Sequence, residues 1–217
     1  MNISILCSDV THPIYPWLES WAARHARSHV VELLSDKREL RGGDVLFLVS
    51  CSEIIDAAIR SLYRATLVIH ASDLPEGRGW SPHIWQILEG KNQIKVTLLE
   101  AEDAVDSGKI WAQRDMVLEG HELFDEINSK LFMTELELME FAVTNFETVA
   151  PLAQDGRPAS HYRKRTPDDS RLDTDRTLAE QFDLLRVADG ERFPAFFDFR
   201  GHRYYVQLRK GKQLPDE

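Results

Sequence analysis

The feature that most constrains this chain is an alternation, through its first half, between short apolar runs and segments with helical spacing. Ile3–Cys7, Val30–Leu34, Val45–Val49, Ala65–His70 and Ile94–Leu99 are runs of strand length. Between them, Trp17, Leu18, Trp21 and Ala22 fall on one helical face, and Trp17, Trp21 and Trp85 read as core. Ser52 is placed to cap a second helix carrying Ile54, Ile55, Ala58, Ile59 and Leu62. Ser81-Pro82 opens a third, a cap residue followed by proline at the first helical position. Strands separated by helices imply crossover connections and a mainly parallel sheet covered on both faces. The predicted fold is therefore α/β and Rossmann-like.

The second half changes character. Phe132, Leu136, Met139, Val143 and Phe146 form an apolar stripe along a long helix, suited either to internal burial or to a homodimer interface. Pro151 to Asp175 is polar and turn-rich and holds the basic cluster His161-Tyr-Arg-Lys-Arg165. Leu178, Phe182, Leu185 and Ala188 mark another helix. Ala195–Phe199 and Tyr204–Leu208, joined by Arg200-Gly201-His202, read as a hairpin. The expected division is an α/β core over residues 1–145 and a small α+β extension over 146–217.

Acidic residues outnumber basic ones by 36 to 26, giving a net charge of −10, which opposes general nucleic-acid binding. No run reaches the roughly 18 apolar residues of a membrane span. Two cysteines are too few for a disulfide framework and fit a reducing, cytoplasmic setting. Metal chemistry is not expected: the eight histidines give no close ligand pair except His25 and His29, on a segment that reads as entering a strand.

Ligands of parallel α/β folds sit beyond the carboxyl ends of the strands. One apolar run ends at His70 and continues Ala-Ser72-Asp-Leu74-Pro75-Glu-Gly-Arg78-Gly79. The next ends in an acidic loop, Glu100-Ala-Glu102-Asp103-Ala104-Val105-Asp106-Ser-Gly108. An imidazole and a carboxylate at neighbouring strand ends can form a pair in which the carboxylate orients the ring. Such a pair serves acyl transfer, where a proton leaves the attacking group and charge builds on a carbonyl oxygen. By spacing alone, both sites are equally compatible with a hydrogen-bonded structural histidine and an ordinary turn.

The wording of these loops resembles the formyltransferase family that uses 10-formyltetrahydrofolate. The resemblance rests on His70, Ser72, Leu74, Pro75, Arg78 and Gly79, then Val96, Thr97, Asp106 and Gly108, and extends to Lys109-Ile110-Trp111. It implies that His70 is the catalytic histidine and Asp106 its partner. It also implies that Leu74, Pro75 and the stretch Glu102, Asp103, Ala104, Val105 hold the folate cosubstrate. The family's asparagine two residues before the histidine is replaced here by Val68, leaving Ser72 or a backbone N–H to bind the oxyanion. A formyltetrahydrofolate hydrolase and a non-catalytic folate or nucleotide module remain open beside the transferase.

A narrower resemblance covers most of the chain. Ile5-Leu-Cys-Ser-Asp9, His12-Pro-x-Tyr15-Pro16, His70 to His83, Tyr162 to Asp169 and Leu184-Leu-Arg-Val187 are similar to short sugar N-formyltransferases of pseudaminic-acid-type pathways. This implies a nucleotide-linked amino-dideoxy sugar as acceptor, such as UDP-4-amino-4,6-dideoxy-N-acetyl-altrosamine. The candidate acceptor residues are Arg78, Gly79, Trp80, His83, Tyr162, Arg163, Lys164, Arg165 and Phe193. Nucleic acid and membrane are not expected as partners, and a homodimer stays open as one use of the apolar stripe at Phe132–Phe146.

Overall fold

A computed structural model describes residues 1–214. Its elements are β1 (Asn2–Leu6), α1 (Tyr15–His25), β2 (Val30–Leu34), β3 (Gly43–Leu48), α2 (Ala57–Arg60), β4 (Tyr63–His70), β5 (Arg78–Gly79), α3 (Pro82–Leu88), β6 (Gln93–Glu100), β7 (Ile110–Val117), α4 (Phe124–Asn145), β8 (His161–Tyr162), α5 (Phe182–Arg186), β9 (Ala195–Phe199) and β10 (His202–Val206). Six strands form one sheet in the order β2-β1-β3-β4-β6-β7. The first four are parallel, and β6 and β7 each run antiparallel to the preceding neighbour. The sheet is mainly parallel, as the apolar runs require.

Alternation along the strands divides the core in two. Ile3, Ile5, Val45, Phe47, Ala65 and Leu67 face Leu18 and Trp21 of α1 and Leu131, Leu138 and Met139 of α4. On the opposite face Leu6, Leu46 and Leu48 form a smaller cluster against which Val68 packs. Val68 and His70 are two apart on β4, so they share a face. The stripe on α4 takes the internal alternative. Phe132 and Met139 are buried, and Leu136, Val143 and Phe146 pack against the same cluster.

Several local expectations need correction. The helix expected from Ser52 is only Ala57–Arg60, and the Ser52 hydroxyl lies 3.2 Å from Ser8 Oγ instead of capping it. Asp56 caps instead, accepting from the Ile59 N–H at 2.9 Å, and Ile54 is left exposed. Ser81 precedes α3 with φ +47 and makes no capping bond through its side chain. The helix expected from Leu178 shrinks to α5, with Leu178 exposed. Gln181, just before α5, turns its amide back to the carbonyls of Asp173, Arg176 and Thr177. The hairpin turns at Arg200-Gly201, both at positive φ, so β10 begins at His202 rather than Tyr204. Trp21 is core and Trp17 packs against it, but Trp85 lies outside, stacked on Tyr162. His25 ends α1 instead of entering a strand.

The C-terminal segment is tied to the sheet. Val187 joins the main core, and buried Arg186 donates to Asn92 Oδ1 at 2.9 Å. Buried Glu122 receives Lys130 and the N–H groups of Glu119 and Gly120. Burial alone would raise its pKa, but these donors outweigh burial and hold it at about 2. No helix among the described residues is long and apolar enough to cross a membrane.

Glu135, on α4, is the opposite case. It is buried, its Oε2 has no partner, and desolvation raises its pKa to about 8. The folded chain therefore holds a proton there that the unfolded chain releases near pH 4.5. The associated stability is fully present below that value and is lost as the pH rises through about 8. Glu135→Gln removes this dependence. Urea unfolding is expected to show near-equal stability at about pH 5, with the variant ahead by on the order of 2–4 kcal/mol at about pH 8. A gap independent of pH would refute the buried neutral carboxyl.

Candidate active site

His70 is the last residue of β4 and is 7% exposed. Its Nε2 lies 2.8 Å from the carbonyl of Gly77, and its Nδ1 lies 3.6 Å from Asp106 Oδ1. A neutral imidazole has one N–H, so only the imidazolium can donate toward both acceptors.

Asp106 reaches this position by a route that the parallel scheme does not anticipate. Since β6 is antiparallel to β4, its carboxyl end lies back along β4, where the Ala101 N–H donates to the Thr66 carbonyl at 2.8 Å. The two groups are therefore not at adjacent carboxyl ends. The loop between β6 and β7 instead doubles back to return Asp106 to His70. Gly108 makes the closure possible, since a Cβ there would lie 1.9 Å from the Glu100 carbonyl oxygen. Asp106 itself has φ +56, a left-handed conformation that is uncommon outside glycine. The Gly79 N–H holds its Oδ2 at 2.9 Å.

The loop from Ala71 to Gly79 is fixed from several sides. Thr97 donates to the Ser72 carbonyl at 2.7 Å, and Gln113 donates to Thr97 and to Asp73. Ser72 is 1% exposed, and its hydroxyl has no partner. Leu74 and Pro75 are both buried and are joined by a cis peptide bond. In the acidic loop Glu102, Asp103, Ala104 and Val105 are all exposed, with Asp103 bound to Arg60 and Val105 64% exposed beside Asp106.

The residues expected to meet an acceptor separate into two groups. Tyr162 lays its ring edge against Gly77, stacks on Trp85 and donates its hydroxyl to Glu89 at 2.8 Å. Burial and that carboxylate raise its pKa. Arg163 is bound to Asp169 and lies 4.8 Å over Trp85, while Lys164 lies 4.7 Å over the exposed Trp80. These side chains brace one another. Arg165 differs. It is 7% exposed, lies 4.8 Å over Phe193 and touches Ser170, and among the described residues it forms no salt bridge. Burial lowers its pKa. His83 stands close enough to feel it. Burial first, then Arg165, His70 and His12, bring the His83 pKa down to about 3, so its ring is neutral at physiological pH. Arg78 donates to Gln154 at 2.7 Å and leaves a buried Nε without a partner.

Sequence reasoning missed the segment after α4. Gln154 donates to the carbonyls of Asp106 and Gly108 at 2.8 and 3.0 Å. Arg157 reaches Asp73, Glu76 and the Leu74 carbonyl, and Ser160 receives the Gly77 N–H at 2.9 Å. The pairing of β5 with β8 closes the clamp. Only its polar, turn-rich composition marked this stretch.

A doubly wound sheet with an imidazole–carboxylate pair beside a loop pinned by backbone bonds is the layout of a group-transfer site. Residues 1–143 match the family described as formyl transferase, and the chain belongs to that family. A methionyl-tRNA formyltransferase from Rickettsia prowazekii is 26% identical over 130 residues, 59% of this chain and 43% of the relative, so the chain spans less than half of that protein's length. A methionyl-tRNA formyltransferase from Clostridium thermocellum superposes with a TM-score of 0.80 at 23% identity, covering 98% of this chain and 94% of that one. A sugar N-formyltransferase from a Shewanella species gives 0.73 at 16% identity, covering 99% of each chain. HypX from Aquifex aeolicus, in complex with tetrahydrofolic acid, gives 0.78 at 20% identity, over 96% of this chain and 37% of that one.

Gly79 has φ +99, and a Cβ there would lie 2.4 Å from the Tyr162 carbonyl, whereas Gly90 has φ +84 with nothing within 4 Å. Gly90→Ala is expected to cost about 1 kcal/mol, from the backbone alone. Gly79→Ala should cost at least about 2 kcal/mol more, since it also separates β5 from β8. Equal melting temperatures for the two variants would contradict the close approach.

Proposed function

We propose that the chain transfers the formyl group of 10-formyltetrahydrofolate to the amine of a nucleotide-linked amino-dideoxy sugar, with UDP-4-amino-4,6-dideoxy-N-acetyl-altrosamine as the representative acceptor. The observation that carries this reading is the buried His70–Asp106 contact in a chain of the formyl transferase family. The cosubstrate supplies an activated formyl carbon. The bond from that carbon to the folate nitrogen breaks, a bond to the acceptor amine forms, and one amine proton ends on the folate nitrogen. His70, oriented by Asp106, moves that proton and donates to the oxyanion.

Two features support a folate at this site. Val105 offers an exposed apolar side chain next to Asp106, and the apolar pair Leu74 and Pro75 lies in the loop that follows His70. The complex of HypX with tetrahydrofolic acid lends support from a structural relative. Ser72 is the proposed replacement for the asparagine absent at Val68, because its hydroxyl is free of partners two residues beyond His70. The acceptor end is supported by Arg165, a buried cation with no salt bridge among the described residues, and by likeness to a sugar N-formyltransferase over the whole fold. Arg78, Gly79, Trp80, His83, Tyr162, Arg163, Lys164 and Phe193 are proposed as the frame around it. The chain's acidity disfavours a transfer-RNA acceptor. The division into a core at 1–145 and an acceptor-binding extension at 146–217 is part of this proposal.

Mass spectrometry of UDP- and TDP-linked amino sugars incubated with the donor is expected to show gain of one formyl group. His70→Ala should reduce that rate by about 10²–10⁴. Equal formylation by the variant, or donor breakdown that proceeds as fast without sugar, would reject the transferase reading. Arg165→Met is expected to raise the acceptor KM about 10-fold or more with little change in the donor KM. Arg163→Met should change it only slightly, and the reverse order would remove Arg165 from the acceptor site.

A further inference from the structure

Asp106 carries its carboxylate on a left-handed backbone, inside a loop whose residues 102–105 are exposed. A positive φ at a non-glycine residue persists only when its surroundings impose it. Two contacts do so. One is the Gly79 N–H on Oδ2. The other is the amide of Gln154, whose Nε2 bridges the carbonyls of Asp106 and Gly108. The same side chain accepts from Arg78, the residue before Gly79, so one amide reaches both supports of the carboxylate. Gln154 is itself held, since the neighbouring Leu152 pairs with Ile110 in both directions, at 2.7 and 2.9 Å. It lies beyond the 143 residues that match the family, in a stretch with no catalytic group of its own.

We infer that Gln154 is a positioning residue for formyl transfer, locking the Asp106 loop so that the carboxylate faces His70 Nδ1. It makes no hydrogen bond to the imidazole and acts through the Asp106 loop, at the carbonyls of Asp106 and Gly108 and by way of Arg78. This rests on the proposed catalytic role of the His70–Asp106 pair, and the test separates the two. Misplacing a reacting group by about 1 Å can cost on the order of 10²-fold in rate.

The experiment is a double-mutant cycle on the full chain with 10-formyltetrahydrofolate and the accepted amino sugar. Asp106→Asn is expected to lower kcat about 10²-fold or more. Gln154→Ala should lower it about 10- to 50-fold, with both KM values within about threefold and the protein still folded by thermal melting. In the Asp106→Asn background, Gln154→Ala should cost less than about twofold, because the group it positions is already gone. Gln154→Glu, which keeps the acceptor for Arg78 but has no N–H for the two carbonyls, should lose rate as the alanine variant does, and it replaces the alanine variant in the cycle should that one not fold. If the two losses multiply, or if Gln154 variants keep full rate while Asp106→Asn does not, the inference is overturned and the catalytic pair stands. Full rate in Asp106→Asn would overturn both.

Discussion

The contact between His70 and Asp106 depends on a reversal of strand direction. Four parallel strands bring His70 to the rim of the sheet, but no parallel neighbour brings a carboxylate to meet it. β6 runs the other way and ends beside Thr66, some way back along β4. The connection to β7 must therefore return along the face that it has just left. Gly108 permits the turn by lacking a Cβ, and Asp106 accepts an uncommon backbone conformation to complete it. The cost of that conformation is local, whereas the contacts that enforce it come from β5 and from the segment after α4.

Around this pair, electrostatics divide the site by engagement. Arg157, Arg163 and Lys164 have carboxylate or aromatic partners and hold loops in place. Arg165 is buried over Phe193 and forms no salt bridge among the described residues, with Asp169 and Asp189 acting on it only at longer range. Its field falls on His83, whose neutral ring can donate or accept a hydrogen bond without adding charge. Under the proposed function, a phosphate-bearing acceptor would give this guanidinium the direct anionic partner that no salt bridge among the described residues provides.

The sequence makes the parallel sheet legible because burial on both faces demands continuous apolar runs. Observed strands match four of them within two residues at each end, and Val30–Leu34 coincides. β7 escapes detection, since Ile110–Val117 interleaves Gln113, Arg114 and Asp115 with its apolar residues at the sheet edge. Helices near the rim were overextended because periodicity cannot register local competitors such as Ser8 for Ser52 or Asp173 for Gln181. His70 and Asp106 were readable from the wording of their loops. Gln154 was not, because a side-chain amide bound to backbone carbonyls 46 and 48 residues away leaves no spacing to recognise. Its role exists only once β7 and α4 have folded and delivered the chain back to the rim.

The resting geometry also constrains how His70 can react. Nε2 points to the Gly77 carbonyl and Nδ1 to Asp106, so both edges of the ring are already faced by acceptors. A substrate oxygen that takes the Nε2 proton must compete with the carbonyl of Gly77, a residue whose N–H is held by Ser160 Oγ at 2.9 Å. The Nδ1 side is bounded by Asp106, which Gly79 and Gln154 hold in turn. The ring is therefore faced on both edges, and in the proposed reaction a substrate carbonyl would replace Gly77 at Nε2 without a rotation. Catalysis of this kind draws on preorganisation, with the reacting proton held between fixed oxygens. Gln154, Ser160 and β8 of the C-terminal segment hold this geometry, so under the proposed function residues outside the family match would take part in the site.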